Sequence, residues 1–126
     1  NYLKIRTELE SYIRDNTEDG DIVLVDISGY KREEKITSYL YTSQFPKARM
    51  LVVIKPHEKD NYRKIRFYRN NFYDKDSELD LLRIALKISP KTAGGHKGAC
   101  GFSLKADFDR GELIEQIRRE LQKQIT

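Results

Sequence analysis

Four glycines surround one histidine and one lysine in the stretch AGGHKGACGFSL, residues 93–104. The chain contains only seven glycines, so more than half of them lie here. Glycine is costly to order, and it is used where the backbone takes a positive φ or comes very close to another group. Small residues also allow successive N–H groups to point at one spot, which is a common way to bind phosphate. The stretch is a candidate anion-binding loop.

Two side chains of this loop suit a phosphate ligand. Lys97 supplies a positive charge, and a ring nitrogen of His96 can donate a hydrogen bond to a phosphate oxygen. The spacing differs from that of two common nucleotide loops, because no GxxxxGK[ST] is present and the first two glycines are adjacent, unlike GxGxxG. A tight turn that binds nothing is the structural alternative, and these residues alone leave both interpretations open.

The composition is that of a folded domain. Of the 126 residues 38% are hydrophobic and 35% are charged, and the net charge of +4 permits an anionic partner. No apolar run approaches the roughly 18 residues of a membrane span, so we expect no membrane contact. The single Cys100 indicates a reducing compartment, and we expect the cytoplasm. Because the chain begins with Asn1, we expect a fragment, a cleaved product or an excised domain.

Hydrophobic periodicity predicts alternating helices and strands. Helices are predicted over residues 1–16, 32–45, 76–89 and 109–126, the third with Asp76 or Ser77 as its N-cap. Strands are predicted over residues 21–28, 48–56, 61–72 and 101–106, with a Gly-rich loop before the last. The predicted fold class is α/β, with α+β as the alternative. We expect a single domain with a mixed β-sheet flanked by helices.

The segment GGHKGACGFSL resembles the GGH-x-x-A-A-G-F signature of the DHH phosphoesterase superfamily. It is similar to the DHH-associated C-terminal domain of RecJ-type exonucleases, nano-RNA phosphodiesterases and cyclic-dinucleotide phosphodiesterases. The order of elements is also similar over about residues 48–124, although only residues 94–102 are highly specific. Two positions depart from the pattern, since Ala93 replaces a further glycine of many members and Cys100 replaces an alanine. Both changes keep the residue small.

The resemblance implies a larger hydrolase in which one domain binds the catalytic metal and another binds the substrate. Residues 21–126 would form the DHH-associated substrate-binding domain, and residues 1–20 a connector or N-terminal helix. Manganese would be bound upstream, in a catalytic domain that contains the Asp-His-His motif. A two-metal site needs several carboxylates and imidazoles around ions about 3.5–4 Å apart, and this chain has only two histidines and no DHH triplet. We therefore expect no catalytic residue and no metal in this chain.

The resemblance also implies which residues hold the phosphate or terminal nucleotide of the substrate. The loop supplies most of them, and Arg69 falls where the family has an arginine at a strand end. Arg66 shares a strand on which basic and aromatic residues are interleaved, as in proteins that bind single-stranded nucleic acid. The candidate substrate-binding residues are Gly94, Gly95, His96, Lys97, Gly98, Gly101, Arg69 and Arg66.

The expected partners are a short oligonucleotide or phosphorylated nucleotide and the upstream DHH domain. Whether the parent protein forms a homodimer stays open. RNA, DNA, cyclic dinucleotide, phosphoadenosine phosphate and polyphosphate all present an anion to the same loop. Two other functions also stay open. One is a stand-alone nucleic-acid or nucleotide binding module without hydrolase activity, and the other is a general anion-binding α/β domain whose motif matches by chance.

Other polar residues are interpreted as structural. Cys100 lies four residues after His96, and this spacing suggests a Cys–His nucleophile pair or a partial metal site as candidate roles. One His and one Cys are too few for a closed zinc site, so we favour neither role. His57 lies in the polar turn PHEKDN and is expected to be solvated. Asp21 and Asp26 flank a strand and are interpreted as turn and strand-end residues.

Overall fold

Buried β-branched residues form the centre of the fold. The computed structural model describes residues 17–18, 22–29, 48–70 and 79–125. Strand β2 (Ile22–Asp26) and strand β3 (Met50–Pro56) form from the apolar runs IVLVD and MLVVIKP. Each residue from Met50 to Ile54 is at most 1% exposed, as expected for a strand that is covered on both faces. Both strands confirm the prediction made from the sequence.

These two strands form the parallel pair of a mixed sheet, and all other pairs are antiparallel among the described residues. Strand β1 (Thr17–Glu18) pairs with β2, and strand β4 (Tyr62–Arg69) pairs with β3. Strand β6 (Ala99–Lys105) pairs with β4, and strand β5 (Gly94–His96) pairs with β6. The order of the described strands is β1-β2-β3-β4-β6-β5, so β5 lies at an edge.

The sheet has two faces, and the described helices pack against one of them. One face, called the helical face, packs against helix α1 (Leu81–Ile88) and helix α2 (Arg110–Ile125). Because side chains alternate along a strand, residues paired directly across strands share a face. The helical face includes Met50, Val52, Phe67 and Phe102. The other face, called the opposite face, includes Val53, Arg66, Tyr68 and Gly101.

Both helices bury apolar residues at helical spacing against the sheet. The buried residues are Leu81, Ile84 and Ala85 in α1, and Leu113, Ile117 and Leu121 in α2. The side-chain amide of Gln124 joins the two helices. Its Oε1 accepts a hydrogen bond from the Asp80 N–H at 2.8 Å, and its Nε2 donates to the Asp80 carbonyl at 2.9 Å. The start of α1 is thereby fixed against the end of α2.

The predicted fold class is confirmed in its α+β form, as a single small domain with a mixed sheet flanked by helices. The predicted N-cap of α1 is wrong. The helix begins at Leu81, and its N-cap is Asp80, whose Oδ1 accepts from the Arg83 N–H at 3.1 Å. The predicted helices over residues 1–16 and 32–45 lie outside the described residues. Within the described ranges, no helix has the length and apolar character needed to cross a membrane.

The two isoleucines of α2 provide a test of this packing. Ile117 is fully buried and Ile125 is 39% exposed. We expect Ile117→Ala to lower the free energy of unfolding by about 2–5 kcal/mol, because it leaves a cavity under the sheet. The control Ile125→Ala should change the free energy of unfolding by less than about 1 kcal/mol. Urea unfolding followed by circular dichroism measures both, and equal losses would contradict the assignment of the buried face.

Candidate functional site

The Gly-rich stretch is a β-hairpin, so its prediction as a loop is wrong. Strands β5 and β6 pair with Gly94 opposite Gly101, Gly95 opposite Cys100 and His96 opposite Ala99, which leaves Lys97 and Gly98 as a two-residue turn. Strand β6 also begins two residues earlier than predicted. The glycines were interpreted as loop residues because glycine is depleted in strands. Here they allow two strands to approach the neighbouring backbone closely.

The turn of the hairpin is held from two sides. The Arg69 N–H donates to the Gly98 carbonyl at 2.9 Å, and the Leu81 N–H donates to the Lys97 carbonyl at 2.9 Å. The first bond joins the turn to the end of β4, and the second joins it to the first residue of α1. Both carbonyls of the turn are therefore satisfied within the protein, and the hairpin has a fixed position relative to the helical face.

Contacts within the chain restrict three of the four glycines, and two of them strictly. Gly95 has φ of 126°, and a Cβ there would lie 2.6 Å from the Cys100 Cα. At Gly98 a Cβ would lie 3.2 Å from a guanidinium nitrogen of Arg69. At Gly101 a Cβ would lie 2.5 Å from the Ile65 carbonyl oxygen. Real Cβ atoms do not approach backbone atoms this closely, so positions 95 and 101 admit only glycine without rearrangement.

Gly94 differs from the other three glycines. A Cβ at this position would meet no heavy atom within 4 Å, and its φ lies outside the left-handed region. Because Gly94 pairs with Gly101, the two residues form a patch of the opposite face that carries no side chain. We call this pair the glycine platform. The described residues give no steric reason for glycine at position 94, and the open space above it can admit another molecule.

Two rows of residues surround the glycine platform on the opposite face. Arg66 pairs with Gly101, and its Cδ and Nη1 lie 2.8 Å and 3.1 Å from where a Gly101 Cβ would stand. Its side chain therefore extends across the platform. In the next row His96 pairs with Ala99, which in turn pairs with Tyr68. The structure thus brings four of the predicted residues, Gly94, Gly101, His96 and Arg66, to one face.

A second cation, which sequence analysis missed, approaches the same place. Lys55 Nζ lies 6.0 Å from the centroid of the Tyr68 ring, and Arg66 Cζ lies 5.9 Å from it. Both distances are within the range of cation–π attraction. Within the described ranges neither cation forms an ion pair with a carboxylate. Lys55 lies on β3 and Tyr68 on β4, so only the pairing of the two strands brings Lys55 to the ring, and the sequence carried no signal for it.

Arg69 and Lys97 lie apart from this group. The Arg69 guanidinium packs beside Gly98, and its Nη1 donates to the Leu79 carbonyl at 3.1 Å. In this position Arg69 braces the turn, and its predicted contact with substrate stays a prediction. Lys97 borders a groove beside α1 together with Leu86. Of the eight predicted residues, four thus lie on the opposite face, Lys97, Gly98 and Arg69 lie at the turn, and Gly95 pairs with Cys100.

Cys100 does not form a pair with His96. Alternation places Cys100 on the helical face, where it is fully buried, and His96 on the opposite face, where it is exposed. Burial raises the pKa of the Cys100 thiol to about 11, and Arg66 offsets only part of this effect. The thiol is therefore protonated at neutral pH and is a poor nucleophile.

The remaining residues considered in the sequence have structural partners. The Asp26 carboxylate pairs with the Arg110 guanidinium, and its Oδ1 also accepts from the Ser28 N–H at 2.9 Å. His57 Nδ1 accepts from the Lys59 N–H at 3.0 Å within the turn between β3 and β4. Asp21 lies outside the described residues. No three His, Cys, Asp or Glu side chains converge as a metal site within the ranges that the structure describes.

The fold is similar to part of a known enzyme. A solved structure of the pGpG-specific phosphodiesterase PggH from Vibrio cholerae matches with a TM-score of 0.77 and 20% sequence identity. The match covers 94% of this chain and 40% of that protein. The two chains share a fold. No family model matches this chain, and no curated protein does either. This chain thus corresponds to a minor part of the length of the enzyme whose fold it shares.

Adjacent glycines test the geometry of the hairpin. We expect Gly95→Ala to lower the free energy of unfolding by about 2 kcal/mol or more, because the new Cβ meets the Cys100 backbone at an unfavourable φ. Gly94→Ala should change it by less than about 0.5 kcal/mol, since its Cβ enters open space. Thermal unfolding of both variants measures the difference. Equal stabilities would contradict the described hairpin.

The burial of Cys100 predicts slow alkylation. A thiol with a pKa of about 11 supplies little thiolate at pH 8, and a fully buried sulfur is hard to reach. We expect iodoacetamide to modify the native chain at least about a hundredfold more slowly than the same chain in denaturant. Mass spectrometry of timed samples measures this ratio. A similar rate in both states would show that the thiol is accessible.

Proposed function

We propose that this chain is the substrate-binding domain of a metal-dependent phosphodiesterase, and that it holds a nucleotide phosphate on the glycine platform. The observation that carries the proposal is the pair Gly94 and Gly101 on one face, crossed by the Arg66 side chain. Gly94 is exposed and has no Cβ, so a phosphate can approach the backbone closely there, whereas Gly101 is covered by Arg66. A guanidinium at its border supplies charge-assisted hydrogen bonds to phosphate oxygens.

The neighbouring groups complete an anion site. His96 is exposed on the same face and can donate from a ring nitrogen. Strand β5 is an edge strand, and such strands present backbone N–H groups that no neighbouring strand uses. Lys55 adds a second positive charge beside Tyr68. All these donors belong to a rigid sheet, so an anion would bind without much rearrangement of the protein.

Two further observations support this function. The GGHKGACGF segment that resembles the DHH-associated domain is the segment that forms the hairpin. The solved enzyme with the same fold is described as specific for pGpG, a linear dinucleotide with a 5′-phosphate. A short phosphorylated oligonucleotide is therefore the substrate class that we propose for this chain.

The chain's own contribution is binding and orientation. The described residues do not include a ligand set for manganese, so no metal step is assigned to them. The metal-binding catalytic domain would belong to another part of the parent protein. Fixing a phosphate against such a domain turns a chance encounter into an oriented reaction, which is a large part of what an enzyme provides. Arg66 and His96 would hold the substrate in that orientation.

The test is the affinity for a 5′-phosphorylated guanosine dinucleotide, measured by isothermal titration calorimetry. We expect Gly94→Val to weaken binding by about tenfold or more, because the side chain fills the space above the glycine platform. His96→Ala should weaken binding too, through loss of a donor. Both variants should keep the melting temperature, since Gly94 and His96 are exposed.

The control is Gly111→Ala, which adds a Cβ at an exposed position of α2 far from the hairpin in sequence. Its affinity for the dinucleotide should equal that of the unchanged chain. If Gly94→Val and His96→Ala bind as tightly as the control, the glycine platform is not the phosphate site. The same conclusion follows if the unchanged chain does not bind the dinucleotide.

A further inference from the structure

A groove runs beside the hairpin turn, along the exposed side of α1. It is bordered by Leu82, Arg83, Leu86 and Lys87 of α1 and by Lys97 of the turn, with Asp80 at one end. Its volume of about 510 Å³ is within the range of sites for small molecules. The groove lies apart from the glycine platform, which is on the opposite face of the sheet. Lys97 is the predicted site residue that it contains.

The three cations of this groove have no carboxylate partner among the described residues, a property they share with other described cations such as Lys55 and Arg66. Within the described ranges, Arg83, Lys87 and Lys97 form no ion pair. The cations that do form ion pairs are Lys64, Arg110, Arg118 and Lys123. The carboxylate of Asp80 is engaged as the N-cap of α1. The groove therefore carries three positive charges against the one negative charge of Asp80, and this excess favours an anionic ligand.

The groove also exposes apolar surface. Leu86 is 44% exposed, and among the described residues only Ile125 is a comparably exposed large hydrophobic residue. Leu82 is half-buried next to it. An apolar contact surface bordered by cations matches the two parts of a nucleotide, because the base packs against the apolar side chains and the phosphates pair with the cations. An inorganic anion has no apolar part that could pack against Leu82 and Leu86.

The hairpin turn connects the groove to the strand that carries the proposed phosphate site. His96 ends β5 on the opposite face, and Lys97 is the next residue along the chain. The bond from the Leu81 N–H to the Lys97 carbonyl fixes this turn to the start of α1. Along the chain, the groove therefore begins one residue after His96, at Lys97.

We propose that this groove binds a second nucleotide unit of the substrate, with its base against Leu82 and Leu86 and its phosphate between Lys97, Arg83 and Lys87. The inference rests on the proposed function of the hairpin and extends it. The domain would then select dinucleotides or longer oligonucleotides over mononucleotides, because only these occupy both the glycine platform and the groove. An acidic protein segment is the competing occupant, and its binding would not require the glycine platform.

The test compares two ligands on the full chain by calorimetry at fixed ionic strength, 5′-GMP and the 5′-phosphorylated guanosine dinucleotide. The variant is Arg83→Ala/Lys87→Ala. The matched control is Lys91→Ala/Lys105→Ala, which removes the same charge at two exposed positions outside the groove. We expect the groove variant to lose about tenfold or more in affinity for the dinucleotide and less than about twofold for 5′-GMP. The control should change neither by more than about twofold.

The outcomes separate this inference from the proposed function. If Gly94→Val weakens both ligands and the groove variant weakens neither, the hairpin site stands and the groove proposal is overturned. If the groove variant weakens both ligands equally, the effect is general electrostatics and the groove proposal is again overturned. If Gly94→Val weakens neither ligand, the proposed function itself fails. A poly-glutamate peptide that binds with the same dependence on Arg83 and Lys87, where the dinucleotide shows none, would assign the groove to an acidic protein partner.

Discussion

The structure depends on how closely β6 approaches the strands on both of its sides. Gly101 lies against the backbone of Ile65 in β4, and Gly95 lies against the backbone of Cys100. A single Cβ at either contact would push the strands apart, and the hairpin could not stay in the sheet. The same close approach lets the Arg66 side chain lie across Gly101. One packing constraint thus shapes both the sheet edge and the candidate phosphate site.

Charged side chains lie close to these tightly packed strands. Arg66 and Lys55 both lie near the ring of Tyr68, which is only 8% exposed. Water screens charges less in a partly buried setting than in bulk solvent. In the proposed function, a bound phosphate would be attracted by Arg66 at the border of the glycine platform. The proposed nucleotide contact in the α1 groove would add the cations of that groove.

The sequence predicted the elements well and the site only in part. The β2 and β3 strands were readable because their apolar residues are continuous and β-branched. The hairpin was not, since glycine weakens strand patterns and the reason for each glycine is a contact with a distant residue, as between Gly101 and Ile65. The sequence also led us to assign Lys97 and His96 to one binding loop, although adjacent residues at a turn can lie on different sides of the sheet. Register, which no single segment encodes, decided these points.

The most direct measurement is a titration of the isotopically labelled chain with the 5′-phosphorylated dinucleotide, followed through its backbone amide resonances. We expect the largest shifts at Gly94, His96, Gly101 and Arg66, while the exposed face of α2 around Glu115 stays unchanged. Shifts confined to α2, or no shifts at a ligand concentration of about 1 mM, would contradict the claim that the hairpin binds a nucleotide phosphate.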